Sequence, residues 1–470
     1  MIDAFSALAA RDSSELMVVS REQRVTFGEI DSLSRGVADC VGAASIPSGS
    51  LIGLAASYGP AFLAGFLGLR RARQTIVLLD PLAPMDERRR AVAAIGAVAV
   101  LSCAQTWPTS VADFRLSMTG VAAGRYPVPD VAVVKLTSGS TGLPRGVAMT
   151  EESLMADETA LASTMGFRAG DRLLSALPLS HSYGFTTLAL SAMLRGLTLI
   201  LPSDEGPFAP LVAARELGAT IFPTVPAYFQ ALLKMSQPPA WPDGLRLVIS
   251  AGAVLPSAIA IQFRETYGQP VHAFYGSSEC GGICYDREGG AAERGTVGSP
   301  VDGVRVSLSP SDQPEGRVVV ESAAVAATYW PDSDVRLGAG RFETSDVASW
   351  SGAELVLRRR VDRVINLRGR KVDPLEIEQV LAALEGVNEA VVLGVKSPRG
   401  EDVIRAVVAC AAGRLDYQRV TTWCRHRLAD HKIPRSVIIV DTIPRTSGGK
   451  IDRAALLEMS TRDDSSVARG

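Results

Sequence analysis

The chain reads LTSGSTGLPRG at residues 136–146, directly after an apolar segment at 131–134 that predicts a β-strand. Glycine lets a backbone turn tightly and direct its N–H groups at an anion. The hydroxyl side chains add donors, and Arg145 adds a guanidinium, which binds phosphate oxygens strongly. These features favour a phosphate-binding loop over a flexible surface loop. The loop is not of the Walker A type, because the second glycine of that pattern would fall at Pro144 and no Gly-Lys-Ser/Thr follows.

Bulk properties narrow the class of protein. A length of 470 residues predicts two or more domains. The net charge of −2 argues against a nucleic-acid partner held by bulk electrostatics. We expect no secretory signal, because residues 1–17 lack a basic segment followed by a long apolar run. We expect no membrane span, because no apolar run reaches about 18 residues. The six cysteines are scattered, which predicts reduced thiols in a cytoplasmic protein.

Alternating helix-like and strand-like segments predict an α/β fold, with a large N-terminal domain of parallel-rich sheets covered by helices. The helix predicted at residues 25–42 opens with Thr26 and Glu29, the spacing of a capping box. Composition changes at the basic run 358–371. The helix–strand–strand–helix–strand order after it predicts a small C-terminal α+β domain. We therefore expect a domain boundary near Asp362.

Two further segments, YGSSE at residues 275–279 and PRTSGGKIDR at residues 444–453, stand out in the second half of the chain. The first contains Tyr275, whose aromatic ring packs well against flat partners, and Glu279, a carboxylate of the kind that hard cations bind. The second contains Lys450 beside two glycines. Each of these three residues has an ordinary alternative when taken alone: a core tyrosine, a solvated carboxylate and an exposed lysine.

The order of these segments resembles the signatures of one superfamily. LPLSHSYG at 177–184, ISAGA at 249–253 and ETSD at 343–346 complete the series. Together they resemble the adenylate-forming enzymes: acyl-CoA synthetases, peptide-synthetase adenylation domains and firefly-type luciferases. The resemblance runs from about residue 26 to residue 453. It departs from the usual pattern where Arg145 replaces Lys, Glu151 replaces His and Ser345 replaces Gly.

The resemblance implies a role for each matching residue. The implied ATP-binding residues are Thr137, Ser138, Gly139, Ser140, Thr141, Gly142, Arg145, Ala251, Gly252, Ala253, Tyr275, Gly276, Ser278, Asp346 and Arg360. The implied catalytic residues are Lys450, Glu279 and His181, with Glu279 as the Mg²⁺ ligand. The implied acyl-pocket residues are His181, Ser182, Phe185, Val225 and Gly276. Asp362 is the implied hinge between domains 1–361 and 363–470, and Arg368 and Gly369 belong to the implied thiol-transfer loop.

The activity implied is AMP-forming ligation of a carboxylic acid to a thiol, with ATP, Mg²⁺ and coenzyme A. Relatives that activate amino acids commonly carry an acidic pocket residue, and the 178–184 loop has His181 and no Asp. An aryl or medium alkyl acid is therefore favoured. The acceptor stays open among coenzyme A, the phosphopantetheine of an acyl carrier protein and an amine.

Two other classes of function fit the sequence less well. A non-catalytic binding protein would keep the fold and lose activity, and the presence of Lys450, Glu279 and Asp346 argues against it. A serine hydrolase is disfavoured because the chain contains no Gly-x-Ser-x-Gly segment.

Overall fold

The computed structural model describes residues 1–122, 126, 128–138, 144–203, 206, 208–235, 238–361, 365–367, 370–372, 374–396, 402–410, 415–428, 430–446 and 451–463. The chain forms two compact units. The large unit contains Met1–Thr344 and Ser349–Leu357, and the small unit contains Ser345–Ala348 and Arg358–Gly470. The predicted hinge, Asp362, lies outside the described residues, so the domain bounds 1–361 and 363–470 stay a prediction.

Helices and strands alternate along most of the chain. The helices are α1 (Ile2–Arg11), α2 (Phe27–Ala43), α3 (Pro60–Arg71), α4 (Met85–Ile95), α5 (Glu151–Thr164), α6 (Ser182–Gly184), α7 (Ser191–Arg195), α8 (Ala209–Leu217), α9 (Pro226–Leu233), α10 (Ser257–Tyr267), α11 (Pro374–Ala382), α12 (Tyr417–Arg425) and α13 (Arg453–Asp463). A π-helical segment, Phe185–Leu190, joins α6 to α7, and 3₁₀ turns lie at Val111–Asp113 and Asp430–Lys432.

The strands are β1 (Leu16–Val19), β2 (Arg24–Thr26), β3 (Leu51–Ala56), β4 (Thr75–Leu78), β5 (Ala99–Cys103), β6 (Arg115–Met118), β7 (Val131–Ser138), β8 (Pro144–Thr150), β9 (Arg172–Leu174), β10 (Thr198–Ile200), β11 (Ile221–Thr224), β12 (Leu247–Ser250), β13 (His272–Ser277), β14 (Gly281–Tyr285), β15 (Ser299–Pro300), β16 (Arg305–Ser309), β17 (Gly316–Glu321), β18 (Thr328–Trp330), β19 (Leu337–Gly338), β20 (Arg341–Ser351), β21 (Glu354–Arg360), β22 (Ile365–Leu367), β23 (Arg370–Val372), β24 (Val387–Lys396), β25 (Asp402–Cys410) and β26 (Ser436–Val440).

The predicted phosphate loop connects two neighbouring strands of one sheet. That sheet has the order β18-β8-β7-β4-β3-β5-β6, and β7, β4, β3 and β5 run parallel. β8 runs antiparallel to β7, with Thr137 opposite Arg145 and Ser138 opposite Pro144. The loop therefore links two strands, whereas a Walker A loop links a strand to a helix. Residues 139–143 themselves lie outside the description.

A second sheet positions the other candidate segments. Its order is β15-β14-β13-β12-β11-β9-β10-β1-β2, and the run from β1 through β10, β9, β11 and β12 to β13 is parallel. The carboxyl ends of parallel strands meet at one edge of a sheet, where ligands of α/β proteins commonly bind. ISAGA ends β12, and YGSSE ends the neighbouring strand β13. The topology thus brings these two segments to the same edge.

Local sequence explains several of these elements. The backbone N–H of Thr26 donates to Glu29 Oε2 at 2.7 Å, and the Glu29 N–H donates back to Thr26 Oγ1 at 3.2 Å, so the capping-box prediction is confirmed. Helix α3 begins with Pro60, whose fixed φ suits the first turn, and its apolar residues are buried. Packing around Phe222, Phe229 and Phe263 forms an aromatic part of the large unit's core.

The small unit has its own sheet and core. β24 and β25 pair antiparallel, and β26 joins β25 in parallel. α11 and α12 contribute Ile377, Leu381 and Val420 to a cluster of buried apolar side chains against these strands. A short hairpin, β22–β23, precedes them. The predicted helix–strand–strand–helix–strand order is confirmed, whereas the hairpin and α13 were not anticipated.

The predicted α/β fold class, with a large sheet-rich unit and a smaller α+β unit, is confirmed. Across the described part of the chain, no helix has the length and apolar content needed to cross a membrane.

Candidate active site

The turn after β13 carries Ser278 and Glu279 and is anchored to helix α5. Asp157 of α5, 2% exposed, accepts hydrogen bonds from the Gly282 N–H and the Thr186 hydroxyl, both at 3.0 Å. Gly281 has φ +68°, and a Cβ there would lie 2.0 Å from Asp157 Oδ1. A residue without a side chain is therefore required beside the carboxylate. This contact fixes the turn that presents Ser278 and Glu279.

The segment after β12 turns beside the start of α9. The Ala251 N–H donates to the Thr224 carbonyl at 3.0 Å, which continues the strand pairing for one residue. Gly252 follows with φ +82°, and a Cβ on it would lie 3.8 Å from Val225 Cγ1. The structure thus brings the predicted pocket residue Val225 next to the segment predicted to pass beside adenine. Ala253, the last of that segment, follows in the same turn.

The segment at residues 177–184, the His181 loop, contacts the turn after β13 through a direct hydrogen bond. Ser182 Oγ donates to Ser278 Oγ at 2.7 Å. The loop is compact, because the His181 N–H donates to the Pro178 carbonyl at 3.2 Å and the Phe185 N–H donates to the His181 carbonyl at 2.7 Å. A residue predicted for the acyl pocket and one predicted for phosphate binding are therefore adjacent in space.

The same loop is held from its other side by two residues that sequence reasoning missed. Tyr58 donates its hydroxyl proton to Asp80 Oδ1 at 2.8 Å, and its oxygen lies 2.7 Å from Ser180 Oγ. Because a phenol has one proton, Ser180 must be the donor in the second bond. Burial raises the pKa of Tyr58, so it remains a neutral donor. Tyr58 and Asp80 each stand two residues after a buried parallel strand, a positional signal that could have identified them.

Two predicted pocket residues differ in exposure. Phe185 is fully buried and packs against Phe62 and Phe66, with ring centroids 6.4 and 5.2 Å away. Its ring therefore supports the wall behind the His181 loop. Gly276, at the end of β13, is exposed. Tyr275 beside it is 8% exposed, so most of its ring is packed within the protein.

Arg145 makes several contacts within the protein. Its Nη2 donates to the Asp332 carbonyl at 2.9 Å, and its Nη1 lies 3.7 Å from Asp334 Oδ2. Its Cζ stands 3.7 Å from the centroid of the Tyr329 ring, a cation–π contact. Thr137 Oγ1 donates to the Arg145 carbonyl at 3.2 Å across the β7–β8 ladder. The predicted phosphate donor is thus seated beside the loop, with part of its donor capacity already engaged.

Glu279, the predicted Mg²⁺ ligand, is hydrogen-bonded through both its side chain and its backbone. Tyr329 Oη donates to Glu279 Oε1 at 3.0 Å, and the Ala326 N–H donates to the Glu279 carbonyl at 2.8 Å. No group of three or more His, Cys, Asp or Glu residues that could hold a metal occurs in the part of the chain that is described. Mg²⁺ in nucleotide enzymes commonly takes one or two carboxylates and completes its shell with water and substrate phosphates. A single half-buried carboxylate at this turn fits that donor set.

A buried lysine lies on the strand that leads to the phosphate loop. Lys135 of β7 is 1% exposed, and its Nζ has no hydrogen-bond partner among the described residues. Burial lowers its pKa, while the charge of Asp157 acts in the opposite direction. Burial likewise raises the pKa of Asp157, opposed by Lys135. Sequence reasoning did not single out either residue.

Within the small unit, Arg360 Nε lies 3.4 Å from Asp346 Oδ1. The two predicted ribose-binding residues are therefore close together. The remaining predicted residues lie outside the described part of the chain: Gly139, Ser140, Thr141, Gly142, Asp362, Arg368, Gly369 and Lys450. The roles of these eight residues stay predictions. So does the role of Ser138, whose backbone is described as part of β7.

Comparison with known proteins identifies the family of the chain. The chain matches the AMP-binding enzyme family over residues 5–330 and the AMP-binding enzyme C-terminal domain over residues 376–450. It is 30% identical over 457 residues to a feruloyl-CoA synthase from an Amycolatopsis species, covering 91% of this chain and 92% of the relative. It is 27% identical to a long-chain-fatty-acid–CoA ligase of Mycobacterium tuberculosis, covering 93% and 94%. The fold matches the o-succinylbenzoate CoA synthetase of Bacillus subtilis, solved with an acyl-adenylate intermediate, with a TM-score of 0.81 at 22% identity over 96% and 97% of the two chains.

Similarity to acyl-CoA ligases over more than nine tenths of the chain supports the class that the sequence predicted, an AMP-forming acid–thiol ligase. The chain belongs to the AMP-binding enzyme family. The resemblance to adenylate-forming enzymes is thereby confirmed.

Proposed function

We propose that this protein uses ATP to convert an aryl or medium alkyl carboxylic acid into its acyl-adenylate and then transfers the acyl group to coenzyme A. The observation that carries the proposal is the 2.7 Å hydrogen bond from Ser182 to Ser278. It joins the segment that would border the acid to the segment that would bind the phosphates. An acid and a nucleotide bound there would meet at this junction, as adenylation requires.

In the first half-reaction, the acid's carboxylate attacks the α-phosphate of ATP and pyrophosphate leaves. Backbone N–H groups and hydroxyls of the loop between Thr137 and Arg145 would stabilise the charge that accumulates on the phosphates. Lys450 would contact the carboxylate and the α-phosphate together. Each well-placed donor of this kind contributes about 3 kcal/mol to lowering the barrier. Tyr275 and the segment at residues 251–253 would hold adenine, and Asp346 and Arg360 would hold the ribose.

Magnesium fits the site through Glu279. When bound, the ion would neutralise negative charge on the phosphate oxygens. Glu279 would hold it with one carboxylate oxygen, while Ser278 donates its hydroxyl to a phosphate oxygen. The contact of Ser182 with Ser278 would keep that hydroxyl close to the acid.

In the second half-reaction, the thiol attacks the acyl-adenylate and AMP leaves. We propose that the small domain rotates about Asp362, so that the Lys450 segment withdraws and the loop with Arg368 and Gly369 approaches the thiol. Hinges of this kind absorb a large backbone rotation at a few residues.

The proposed class of acid and the proposed acceptor rest on different observations. His181 in the 178–184 loop, with no acidic residue there, favours an acid without an amino group. The relative that makes feruloyl-CoA favours an aryl acid, and the relative that acts on long-chain fatty acids favours an alkyl acid. Both relatives are CoA ligases, which favours coenzyme A over a carrier protein or an amine. A cytoplasmic location is part of the same proposal.

The test is acid-dependent release of pyrophosphate from ATP and Mg²⁺, measured over a panel of aryl and alkyl acids with and without coenzyme A. We expect release with one acid class, a further rise with coenzyme A and a new acyl-CoA by mass spectrometry. An adenylate that accumulates regardless of coenzyme A would redirect the acceptor to a carrier protein or an amine. No release with any acid would contradict the proposed activity.

A further inference from the structure

Three side chains of the large unit form a continuous chain from the phosphate-loop strand to the Glu279 turn. The Arg145 guanidinium stands 3.7 Å from the centroid of the Tyr329 ring. Tyr329 Oη then donates to Glu279 Oε1 at 3.0 Å. The tyrosine therefore contacts the side chain at one end of the phosphate loop and the side chain that would hold the metal.

The backbone around Tyr329 reinforces both contacts. β18 pairs antiparallel with β8, placing Tyr329 opposite Val147. Just before β18, the Ala326 N–H donates to the Glu279 carbonyl at 2.8 Å and the Ala327 N–H donates to the Ala148 carbonyl at 2.9 Å. The segment is thus bonded to the seven-stranded sheet on one side and to the β13 turn on the other. Tyr329 is 7% exposed, so its ring has little room to change rotamer.

The chemistry of this bond determines what it does to the carboxylate. A phenol has one proton to donate, and Tyr329 donates it to Glu279 Oε1 at 3.0 Å. Donation to Oε1 fixes the rotation of the carboxylate and leaves Oε2 to face another partner. Outer residues that orient a ligating carboxylate in this way commonly control metal affinity.

We propose that Tyr329 is a positioning residue that orients Glu279 toward the Mg²⁺ of bound Mg·ATP and fixes the Arg145 side chain beside the phosphate loop. This inference rests on the proposed function, in which Glu279 holds the ion. It assigns a role to a residue outside the motifs that carried the sequence prediction. Its consequence is that a single hydroxyl group sets the metal requirement of adenylation.

The test uses Tyr329→Phe, which removes the hydroxyl and keeps the ring against Arg145. We expect the Mg²⁺ concentration for half-maximal pyrophosphate release to rise about tenfold, with kcat at saturating Mg²⁺ close to that of the wild type. Tyr267→Phe is the matched control, because the Tyr267 hydroxyl has no hydrogen-bond partner among the described residues and lies on α10. Its Mg²⁺ dependence should equal that of the wild type.

A binding measurement separates this inference from the proposed activity. Mn²⁺ replaces Mg²⁺, and electron paramagnetic resonance follows its binding in the presence of a non-hydrolysable ATP analogue. We expect Tyr329→Phe to weaken Mn²⁺ binding about tenfold in the wild-type background and to have no further effect in Glu279→Gln. Weakened Mn²⁺ binding without pyrophosphate release from any acid would support the inference and contradict the proposed function. Equal Mn²⁺ binding by Tyr329→Phe and the wild type would overturn the inference, whatever the activity.

Discussion

Replacing Gly281 with alanine tests how the β13 turn is held. Gly281 has φ +68°, and the new Cβ would stand 2.0 Å from Asp157 Oδ1. Gly268, at the end of α10, has the same φ of +68°, and a Cβ on it would meet nothing within 4 Å. The two alanine variants share the cost of a left-handed backbone, about 1 kcal/mol. Only Gly281→Ala must also displace a buried carboxylate.

The magnitude follows from the bonds that Asp157 would lose. The carboxylate accepts the Gly282 N–H and the Thr186 hydroxyl, both at 3.0 Å, and is 2% exposed. A hydrogen bond to a charged group contributes about 1.5–3 kcal/mol, and overpacking a buried site costs about 1–3 kcal/mol. We therefore expect Gly281→Ala to lower the free energy of unfolding by about 4 kcal/mol, compared with about 1 kcal/mol for Gly268→Ala.

Thermal and urea unfolding of the two variants, followed by fluorescence, would measure this difference as a shift in midpoint. Because the chain has two compact units, the unfolding transition of the large unit, which contains both glycines, is the one compared between the variants. Pyrophosphate release should also fall in Gly281→Ala, since the turn carries Ser278 and Glu279. Equal midpoints for the two variants would refute the reasoning, because they would mean that Asp157 yields to the methyl group without loss.

Three further predictions concern the His181 loop and the two half-reactions. Tyr58→Phe should raise the KM for the acid about fivefold and leave the KM for ATP unchanged, because it removes the bond to Ser180. Tyr126→Phe is the control, because it removes a buried hydroxyl that has no partner among the described residues. An equal KM for the acid in the two variants would contradict the role of Tyr58. Lys450→Ala should abolish acyl-AMP formation more than thiol transfer from supplied acyl-AMP, and normal adenylation would show that the lysine is misassigned. Gly369→Leu should spare adenylation and block transfer, whereas equal loss of both steps would count against domain rotation.

Local patterns explain which parts of the fold the sequence predicted. Thr26 and Glu29 form their capping box within one helical turn, so a few consecutive residues contain the whole interaction. The apolar run at residues 131–134 likewise predicted the strand before the phosphate loop, although β7 extends to Ser138. Elements of this kind depend on neighbours in the chain, and the predictions for them are confirmed.

Long-range contacts explain what the sequence did not reveal. Arg145 is separated from Tyr329 by more than half of the large unit, and only strand pairing between β8 and β18 brings them together. Lys135 is one polar residue in an otherwise apolar strand, and the electrostatic effect of Asp157 on its pKa depends on how α5 packs. The contacts of Tyr58 with Asp80 and Ser180 similarly join three separate loops. Pairings of this type follow from the tertiary fold and leave no periodic pattern.

The hydrogen bond between Ser182 and Ser278 has a thermodynamic consequence. If an acid that contacts the first serine changes the affinity for nucleotide at the second, the nucleotide must change the affinity for the acid by the same factor, because the cycle of binding steps closes. Order of addition then has no effect on the final occupancy of the ternary complex. A screen for the acid could therefore measure the nucleotide instead, by searching for the compound that increases the affinity for a non-hydrolysable ATP analogue.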